Sequence, residues 1–352
     1  MIKLGINGFG RIGRMCLRAS LQNPLVQVTA INGTSKPAAL AHLLKYDSVH
    51  GKLDCLLTWD EDHLILDGNP IRIVNDRNPA NIPWGDLGVD VVIESTGKFN
   101  SAHEAQIHIA SGAKKVIITA PAKEEDFTIV MGVNESEYNP LKHHIISNAS
   151  CTTNCLAPIV KVLNDGFGIQ HGLMTTVHAF TSDQRSLDNS HNDLRRARSC
   201  VQSIVPTTTG AAKAIGLVIP ELKGRLNGIS VRVPVPDVSL IDLVVELTRD
   251  VTAEEVNAAF ADAAQGHLKG ILEYCDEPLV SIDFLGNSNS AILDALSTMV
   301  MGAKTVKVLA WYDNEWGYAC RVIDLAQYIG HYPAPSLTIE DNTNSTVTRK
   351  VG

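Results

Sequence analysis

The sequence lacks the features that mark nucleic-acid-binding, membrane-spanning and disulfide-rich secreted proteins. Its 352 residues carry a net charge of −8, so there is no basic excess to attract nucleic acid or an anionic membrane surface. It contains no long uncharged apolar stretch, and no charged segment with an apolar run opens the chain. The seven cysteines are odd in number and scattered, which does not fit a disulfide framework. We therefore expect a reduced, cytoplasmic protein with no nucleic-acid or membrane partner.

The start of the chain predicts a dinucleotide-binding turn. Residues 2–7 (IKLGIN) form a strand candidate, residues 14–20 form a helix candidate, and the sequence GFGRIG lies between them. In a G-x-G-x-x-G motif so placed, Gly8 makes the tight turn, Gly10 admits a pyrophosphate to the backbone, and Gly13 lets the helix pack on the strand. The pyrophosphate would lie at the helix N-terminus. Glycine clusters often form only turns, so the placement between a strand and a helix is what favours a cofactor site.

The end of the second predicted strand, 26–31, bears on the choice of cofactor. NAD enzymes of this type usually have Asp or Glu there to accept hydrogen bonds from the ribose hydroxyls. This chain instead continues with Asn32, Gly33, Thr34, Ser35 and Lys36. A carboxylate would repel an adenosine 2′-phosphate, whereas hydroxyls and a lysine can accommodate it. The sequence therefore favours NADP, the alternative being a polar turn that binds NAD less tightly.

The pattern of apolar residues predicts two kinds of sheet. In the first 150 residues strands alternate with helices, and several strands are continuously apolar; the candidates are helices at 37–46 and 102–111 and strands at 89–94, 115–119 and 128–131. Later strands are longer and alternate, at 173–180, 229–233, 240–247 and 306–312, with helices at 255–264 and 315–329. We predict an α/β protein with a Rossmann-type doubly wound parallel sheet, plus an α+β catalytic domain with a mainly antiparallel sheet. A long polar loop spans 181–203, and a poorly ordered tail is expected from about residue 331.

Cys151 is the residue most suggestive of chemistry. A short buried strand is predicted at 143–147, and the apolar spacing after Cys151 predicts a helix for which Ser150 is a good N-cap. Unpaired N–H groups at a helix start favour a thiolate, so we expect a lowered pKa and a reactive thiol. The alternative is a small apolar residue at a strand–helix junction.

Six ordered motifs resemble glyceraldehyde-3-phosphate dehydrogenase along nearly the whole chain. They are INGFGRIGR at 6–14, SNASCTTNCLAP at 147–158, DLRRAR at 193–198, PTTTGAAKA at 206–214, RVPVPDVSLIDL at 232–243 and WYDNEWGY at 311–318. The resemblance implies a homotetramer that acts on glyceraldehyde 3-phosphate and inorganic phosphate. It also implies a dinucleotide-binding domain of residues 1–150 and 315–331 and a catalytic domain of residues 151–314, leaving a tail at 332–352.

The resemblance also assigns residue roles. Cys151 resembles the nucleophile and His178 its base partner. The residues that resemble cofactor contacts are Arg11, Ile12, Arg77, Thr119 and Asn314. Those that resemble contacts of the substrate phosphate and inorganic phosphate are Ser150, Thr152, Thr181, Arg196, Thr209, Gly210 and Arg232. The remaining cysteines have no partner pattern, and no metal site is expected.

Two departures from the family pattern point to NADP. NAD-using members usually carry Asp at the position of Gly33 and Leu-Pro where this chain has Asn189-Ser190, in a loop that reaches a neighbouring subunit's cofactor. The pattern resembles the NADP-preferring bacterial branch that operates in gluconeogenesis. Alternatives are a NAD-preferring glycolytic enzyme, erythrose-4-phosphate dehydrogenase, a non-catalytic binding protein and a thiol redox sensor.

Overall fold

The computed structural model describes residues 1–332. The predicted tail at 332–352 lies, except for Tyr332, outside the described residues. The strands are β1 (Ile2–Asn7), β2 (Val26–Asn32), β3 (Tyr46–Asp47), β4 (Gly51–Lys52), β5 (Leu57–Trp59), β6 (His63–Leu66), β7 (Asn69–Val74), β8 (Val91–Glu94), β9 (Lys115–Ile118), β10 (Phe127–Thr128), β11 (Ile145–Ser147), β12 (Ile169–Ala179), β13 (Val205–Thr208), β14 (Leu226–Val233), β15 (Ser239–Leu247), β16 (Leu272–Cys275), β17 (Ala291–Met301) and β18 (Thr305–Tyr312). The helices are α1 (Arg11–Ser20), α2 (Pro37–Lys45), α3 (Ala102–Ala110), α4 (Cys151–Phe167), α5 (Ala211–Val218), α6 (Ala253–Gln265) and α7 (Trp316–Gly330).

The predicted fold class is confirmed by two large sheets of different character. The first has nine strands in the order β10-β11-β9-β8-β1-β2-β7-β6-β5, and all pairings from β10 to β7 are parallel. The second has seven strands in the order β13-β14-β12-β15-β18-β17-β16, in which only the β12–β14 and β16–β17 pairings are parallel. The carboxyl ends of the parallel strands open a crevice where the strand order reverses, at β1.

Helix α4 forms the centre of the second core. Its residues Leu156, Ile159, Val160 and Leu163 are fully buried, as their spacing predicts. They pack with apolar side chains from β12, β15, β17 and β18 in one cluster. Helix α7 returns to the first core, where it packs against α1. The chain thus passes from the first sheet to the second at residues 148–150 and returns at residues 313–315.

Several element boundaries differ from the predictions. Helix α1 begins at Arg11 rather than residue 14, because Gly10 is its N-cap and the glycine motif runs directly into the helix. The strand expected at 128–131 is only Phe127–Thr128, since Asn134 accepts from Val130 N and turns the chain there. Strand β17 was not predicted, because its burial does not alternate regularly. Elements β13, β16 and α5 were not predicted either. Within residues 1–332, no helix is long and apolar enough to cross a membrane.

Candidate active site

Cys151 occupies the first turn of α4, where a strained turn and a side-chain cap hold it. Ala149 has a positive φ of 53°, and its carbonyl accepts a 2.9 Å hydrogen bond from the Tyr318 hydroxyl. Ser150 is the N-cap, and its Oγ accepts from Thr153 N at 3.0 Å. A non-glycine residue at positive φ is uncommon and is often found at functional sites. The thiol therefore lies beside the unpaired N–H groups of a helix start, as the sequence predicts.

His178 reaches the thiol from the end of β12. Its Nε2 lies 3.4 Å from Cys151 Sγ. On the other side of the ring, Nδ1 lies 2.7 Å from the Ala179 carbonyl, to which an Nδ1–H would donate. That tautomer leaves the Nε2 lone pair facing the thiol, which is the arrangement of a general base beside a nucleophile. The pairing of β12 with β14 sets Arg232 beside His178. Arg232 Nη1 donates to the same carbonyl at 3.0 Å and lies 2.9 Å from His178 Nδ1.

The expected lowering of the Cys151 pKa is wrong for this structure. Burial raises the pKa of the Cys151 thiol, and the opposing effects of Arg232 and the Thr152 N–H do not outweigh it. Burial, reinforced by the Arg232 charge, lowers the pKa of His178 to about 3. A helix start favours a thiolate only as far as the surrounding protein leaves it solvated. Near neutral pH the pair is therefore a thiol and a neutral imidazole.

Two arginines lie in the same cleft with different partners. Arg232 is partly buried, its Nε is buried without a hydrogen-bond partner, and none of the described residues offers it a carboxylate. Arg196 instead pairs with Asp183 at 2.5 Å and donates from Nε to Thr207 Oγ1 at 3.0 Å. An arginine buried without an anion costs free energy, so Arg232 marks a place for an anionic ligand.

The glycine motif forms the cradle that a dinucleotide requires. Gly8 has a φ of 96°, and a Cβ on Gly13 would lie 2.1 Å from the Gly8 carbonyl oxygen, so both positions need glycine. A Cβ on Gly10 would meet nothing within 4 Å, because this residue faces the open cleft. Helix α1 has no side-chain cap at its start, which leaves its N–H groups available for a phosphate. These residues fit a dinucleotide pyrophosphate.

The cofactor cleft and the thiol cleft form one continuous groove. The first is lined by the predicted residues Gly8, Gly10, Gly33, Thr34, Ser35 and Arg77. The second is lined by Gly10, Arg11, Ile12, Thr119, Ser150, Cys151, His178, Thr181, Arg196, Arg232 and Asn314. Gly10, Ser95 and Thr96 line both clefts and join them. A ligand could therefore extend from the glycine motif to the thiol.

Five of the predicted residues do not line this groove. Gly13 lies behind the turn, where it packs on Gly8. Thr152 is buried, and its hydroxyl is within 2.9 Å of Tyr312 Oη. Thr209 and Gly210 precede α5, next to Thr208, whose carbonyl accepts from Arg196. Ser190 is exposed on the polar loop, where its carbonyl accepts from Arg185.

Sequence reasoning missed several residues that support the site. Asp183 pairs with Arg196, and Glu315 pairs with Arg11. Tyr312 is fully buried, and its hydroxyl forms hydrogen bonds with the hydroxyls of Thr152, which follows Cys151, and Thr176. Of these residues, Asp183 is the one that the sequence could have indicated, since it lies in the long polar loop predicted at 181–203.

A buried charge cluster lies below the cleft. Ligand atoms of His50, Asp237 and Asp313 lie within 4.8 Å of one another, an arrangement that can hold a metal ion. Burial alone would lower the pKa of His50, but hydrogen bonds to Asp237 and Glu315 raise it to about 9. The imidazolium thus already supplies a cation to these carboxylates. The expectation of no metal site stays a prediction.

The fold and the groove together define an oxidoreductase that binds a nicotinamide dinucleotide beside a cysteine–histidine pair. Residues 2–102 match the family model described as glyceraldehyde 3-phosphate dehydrogenase, NAD binding domain, and residues 150–314 match the C-terminal domain of the same family. The chain therefore belongs to the glyceraldehyde-3-phosphate dehydrogenase family. It is 60% identical over 328 residues to glyceraldehyde-3-phosphate dehydrogenase of Geobacillus stearothermophilus, covering 93% of this chain and 98% of that protein. Against glyceraldehyde-3-phosphate dehydrogenases 1 and 2 of Bacillus subtilis, identity is 60% and 58%, covering 93% of this chain and 98% and 96% of those proteins.

Proposed function

We propose that this chain is a phosphorylating glyceraldehyde-3-phosphate dehydrogenase. It would reversibly oxidise glyceraldehyde 3-phosphate with inorganic phosphate to 1,3-bisphosphoglycerate. The observation that carries the proposal is the 3.4 Å approach of His178 to Cys151 in a groove that also holds Arg232 and the glycine cradle. A nucleophile, its base, an anion site and a dinucleotide cradle are the parts that this reaction needs.

The geometry accounts for the chemistry of Cys151. His178 takes the thiol proton as sulfur attacks the aldehyde, which gives a thiohemiacetal. The N–H groups at the start of α4 and the imidazolium stabilise the resulting oxyanion. The imidazolium returns its proton to this oxygen, which gives the neutral thiohemiacetal. A nicotinamide held in the groove would accept the hydride from the same carbon while His178 takes up the hydroxyl proton, which leaves a thioester on Cys151. Inorganic phosphate attacks that thioester, releases the acyl phosphate and restores the thiol.

We assign the anion contacts by charge and position. Arg232 lies closest to the pair and has no carboxylate partner, so it suits the phosphate that must approach the thioester. Arg196, with Thr181 at the same wall of the cleft, suits a second phosphate. Ser150 lines the same cleft, and Thr152, Thr209 and Gly210 are kept as proposed contacts from the family pattern.

We further propose a preference for NADP and use in gluconeogenesis. Gly33 is buried at the end of β2, and the exposed side chains around it include Thr34, Ser35 and Arg77. The carboxylate that lines this end of the groove is Asp76, whose oxygens accept from Asn78 N and Asn81 Nδ2 and which keeps its charge. The cations Arg77 and Lys98 line the same cleft and supply positive charge for a 2′-phosphate.

The cofactor proposal is tested by kcat/KM for NADP and NAD in the wild type and in Gly33→Asp. The wild type should prefer NADP, and the variant should shift the ratio toward NAD because its carboxylate repels the 2′-phosphate. A Cβ at Gly33 would lie 3.3 Å from Leu40 and Phe9 side-chain atoms, so Gly33→Ala is the steric control and should leave the ratio nearly unchanged. A wild-type preference for NAD, or equal shifts in both variants, would contradict the proposal. Comparing kcat/KM for glyceraldehyde 3-phosphate and erythrose 4-phosphate distinguishes the proposed enzyme from the alternative, an erythrose-4-phosphate dehydrogenase.

We also propose a homotetramer and a two-domain subunit. The face of the second sheet opposite α4 exposes large apolar side chains, including Leu173 (68% exposed) and Ile229 (51%), which a neighbouring subunit would cover. Ser190 would then reach a neighbour's cofactor groove. The two crossings of the chain support a division into residues 1–150 with 315–331 and residues 151–314. Seven free cysteines in the described residues support a cytoplasmic location. Light scattering should give four times the mass of one chain.

A further inference from the structure

The hydroxyl of Ser239 joins the base side of the site to the cofactor side. Ser239 is 1% exposed, and its Oγ accepts from Ala179 N at 3.0 Å. The same Oγ donates to Asn314 Oδ1 at 2.6 Å. Resting on the proposed function, we propose that Ser239 is a positioning residue that sets both the tautomer of His178 and the orientation of the Asn314 amide.

On the base side, Ser239 acts through the backbone of Ala179. The carbonyl of Ala179 is the acceptor for His178 Nδ1 at 2.7 Å and for Arg232 Nη1 at 3.0 Å. Its N–H, held by Ser239, fixes the position of this residue at the end of β12. Arg232 Nη1 also lies 2.9 Å from His178 Nδ1, where it could donate only to an unprotonated nitrogen. The Ala179 carbonyl competes with this contact, keeps the proton of His178 on Nδ1 and leaves Nε2 as the proton acceptor for Cys151. A misplaced Ala179 would weaken that preference.

On the cofactor side, Ser239 determines whether the oxygen or the nitrogen of the Asn314 amide faces the groove. Asn314 is 5% exposed and lines the cleft that contains Cys151. Because its Oδ1 accepts from Ser239, its Nδ2 is the atom left to face the ligand. Asn314 therefore offers a hydrogen-bond donor, which suits a carbonyl such as that of a nicotinamide carboxamide.

The backbone at Val238 is strained directly before Ser239, whose side chain lies between Ala179 and Asn314. Val238 has a φ of 65°, which is rare for a β-branched residue, and its N–H donates to Asp237 Oδ1 at 2.8 Å. Directly after this turn, β15 begins, and Ser239 pairs with Tyr312 of β18, two residues before Asn314. Strained backbone of this kind persists where the surrounding structure holds it, often at functional sites.

Removal of the hydroxyl leaves two buried groups without a partner. In Ser239→Ala, Ala179 N–H and Asn314 Oδ1 both lose their hydrogen bond, and the amide of Asn314 can rotate. We expect cofactor affinity to fall by roughly threefold to tenfold, as for the loss of one hydrogen bond. We also expect the pH profile of Cys151 alkylation by iodoacetamide, measured without cofactor, to shift because His178 is no longer held in one tautomer.

The matched control is Ser290→Ala. Ser290 is also buried, at 4% exposed, and its Oγ has no hydrogen-bond partner among the described residues. Thermal unfolding, cofactor affinity and the alkylation profile are measured on the purified full chain for both variants. The proposal expects both functional readouts to change in Ser239→Ala and neither to change in Ser290→Ala. Ser239→Thr, which keeps a hydroxyl, should restore both. If Ser239→Ala does not fold, Ser239→Cys is the test variant, because its thiol is a weaker hydrogen-bonding group and should lower both readouts.

Three outcomes overturn the proposal. The first is a Ser239→Ala protein with unchanged affinity and profile. The second is a loss that Ser290→Ala reproduces. The third is a loss that Ser239→Thr shows in full despite its hydroxyl. The proposed function is tested separately by the wild-type dehydrogenase assay with glyceraldehyde 3-phosphate and phosphate. A wild type that binds cofactor and alkylates normally but does not turn over would overturn the function and leave the positioning role standing.

Discussion

Replacing His178 with asparagine should reduce the reactivity of Cys151 at low pH and leave it nearly unchanged near neutrality. The pair is a thiol and a neutral imidazole, so its reactive form is an ion pair made by internal proton transfer. That transfer neither gains nor loses protons from solvent, and its extent is independent of pH. Without His178 the thiolate forms only by release of a proton to solvent, so the thiolate fraction falls tenfold for each unit by which the pH is lowered.

The structure sets the size of the difference. At 3.4 Å the ion pair attracts by about 5 kcal/mol with an effective dielectric constant near 20. Near pH 5, protonating an imidazole whose pKa is about 3 costs about 2.7 kcal/mol. The pKa of the Cys151 thiol affects proton transfer to His178 and proton release to solvent equally, so it cancels from the ratio of wild-type to variant reactivity. The wild type is therefore favoured by about 2 kcal/mol near pH 5, or about 40-fold, and the advantage vanishes near pH 7.

Alkylation by iodoacetamide over a range of pH measures this difference directly. The wild type should show a floor at low pH, whereas His178→Asn should fall with a slope of one. His171→Asn is the matched control, because His171 is exposed on the same strand β12. Turnover should fall by about 10²- to 10⁴-fold in His178→Asn at every pH, since the base also removes the hydroxyl proton during oxidation. Parallel pH profiles for the wild type and His178→Asn would refute the argument.

Two further predictions concern stability and the cofactor cradle. His50→Gln should destabilise the protein by up to about 3 kcal/mol, because the pKa of His50 rises from 6.5 to about 9 on folding. This stabilisation is fully present below pH 6.5 and is lost as the pH rises through 9. The free energies of unfolding of the wild type and the variant, measured in urea, should therefore converge at alkaline pH. Gly13→Ala should lower Tm strongly, because the new Cβ would lie 2.1 Å from the Gly8 carbonyl oxygen. Gly10→Ala should keep the wild-type Tm and lose cofactor affinity, because the new Cβ would point into the open groove. A Gly10→Ala protein that binds cofactor as tightly as wild type would place the pyrophosphate elsewhere.

The sequence predicted the features that depend on neighbouring residues. The helix start at Cys151, the glycine turn at Gly8 and the two kinds of sheet follow from local spacing, and the structure contains all three. Burial is not local, so the raised pKa of Cys151 could not be read from a helix N-cap. Strand β17 was missed because its side chains do not alternate between buried and exposed positions.

Contacts between distant segments lay beyond sequence reasoning. His178 was paired with Cys151 only through the family resemblance, since a single histidine on a strand carries no sign of its partner. Ser239 meets Asn314 across 75 positions of sequence, and nothing in the spacing of either residue indicates the contact. Thr152 was predicted as a phosphate contact from the family pattern, but its hydroxyl bonds Tyr312 rather than facing the groove.

The two crossings of the chain between the sheets lie at the reacting end of the groove. Cys151 directly follows the first crossing, at 148–150, and Asn314 lies within the second, at 313–315. The adenosine end near Gly33 is lined only by residues that precede the first crossing. A substitution at that end therefore alters the part of the groove that selects the cofactor and leaves both crossings, with the thiol and the amide that they place, untouched.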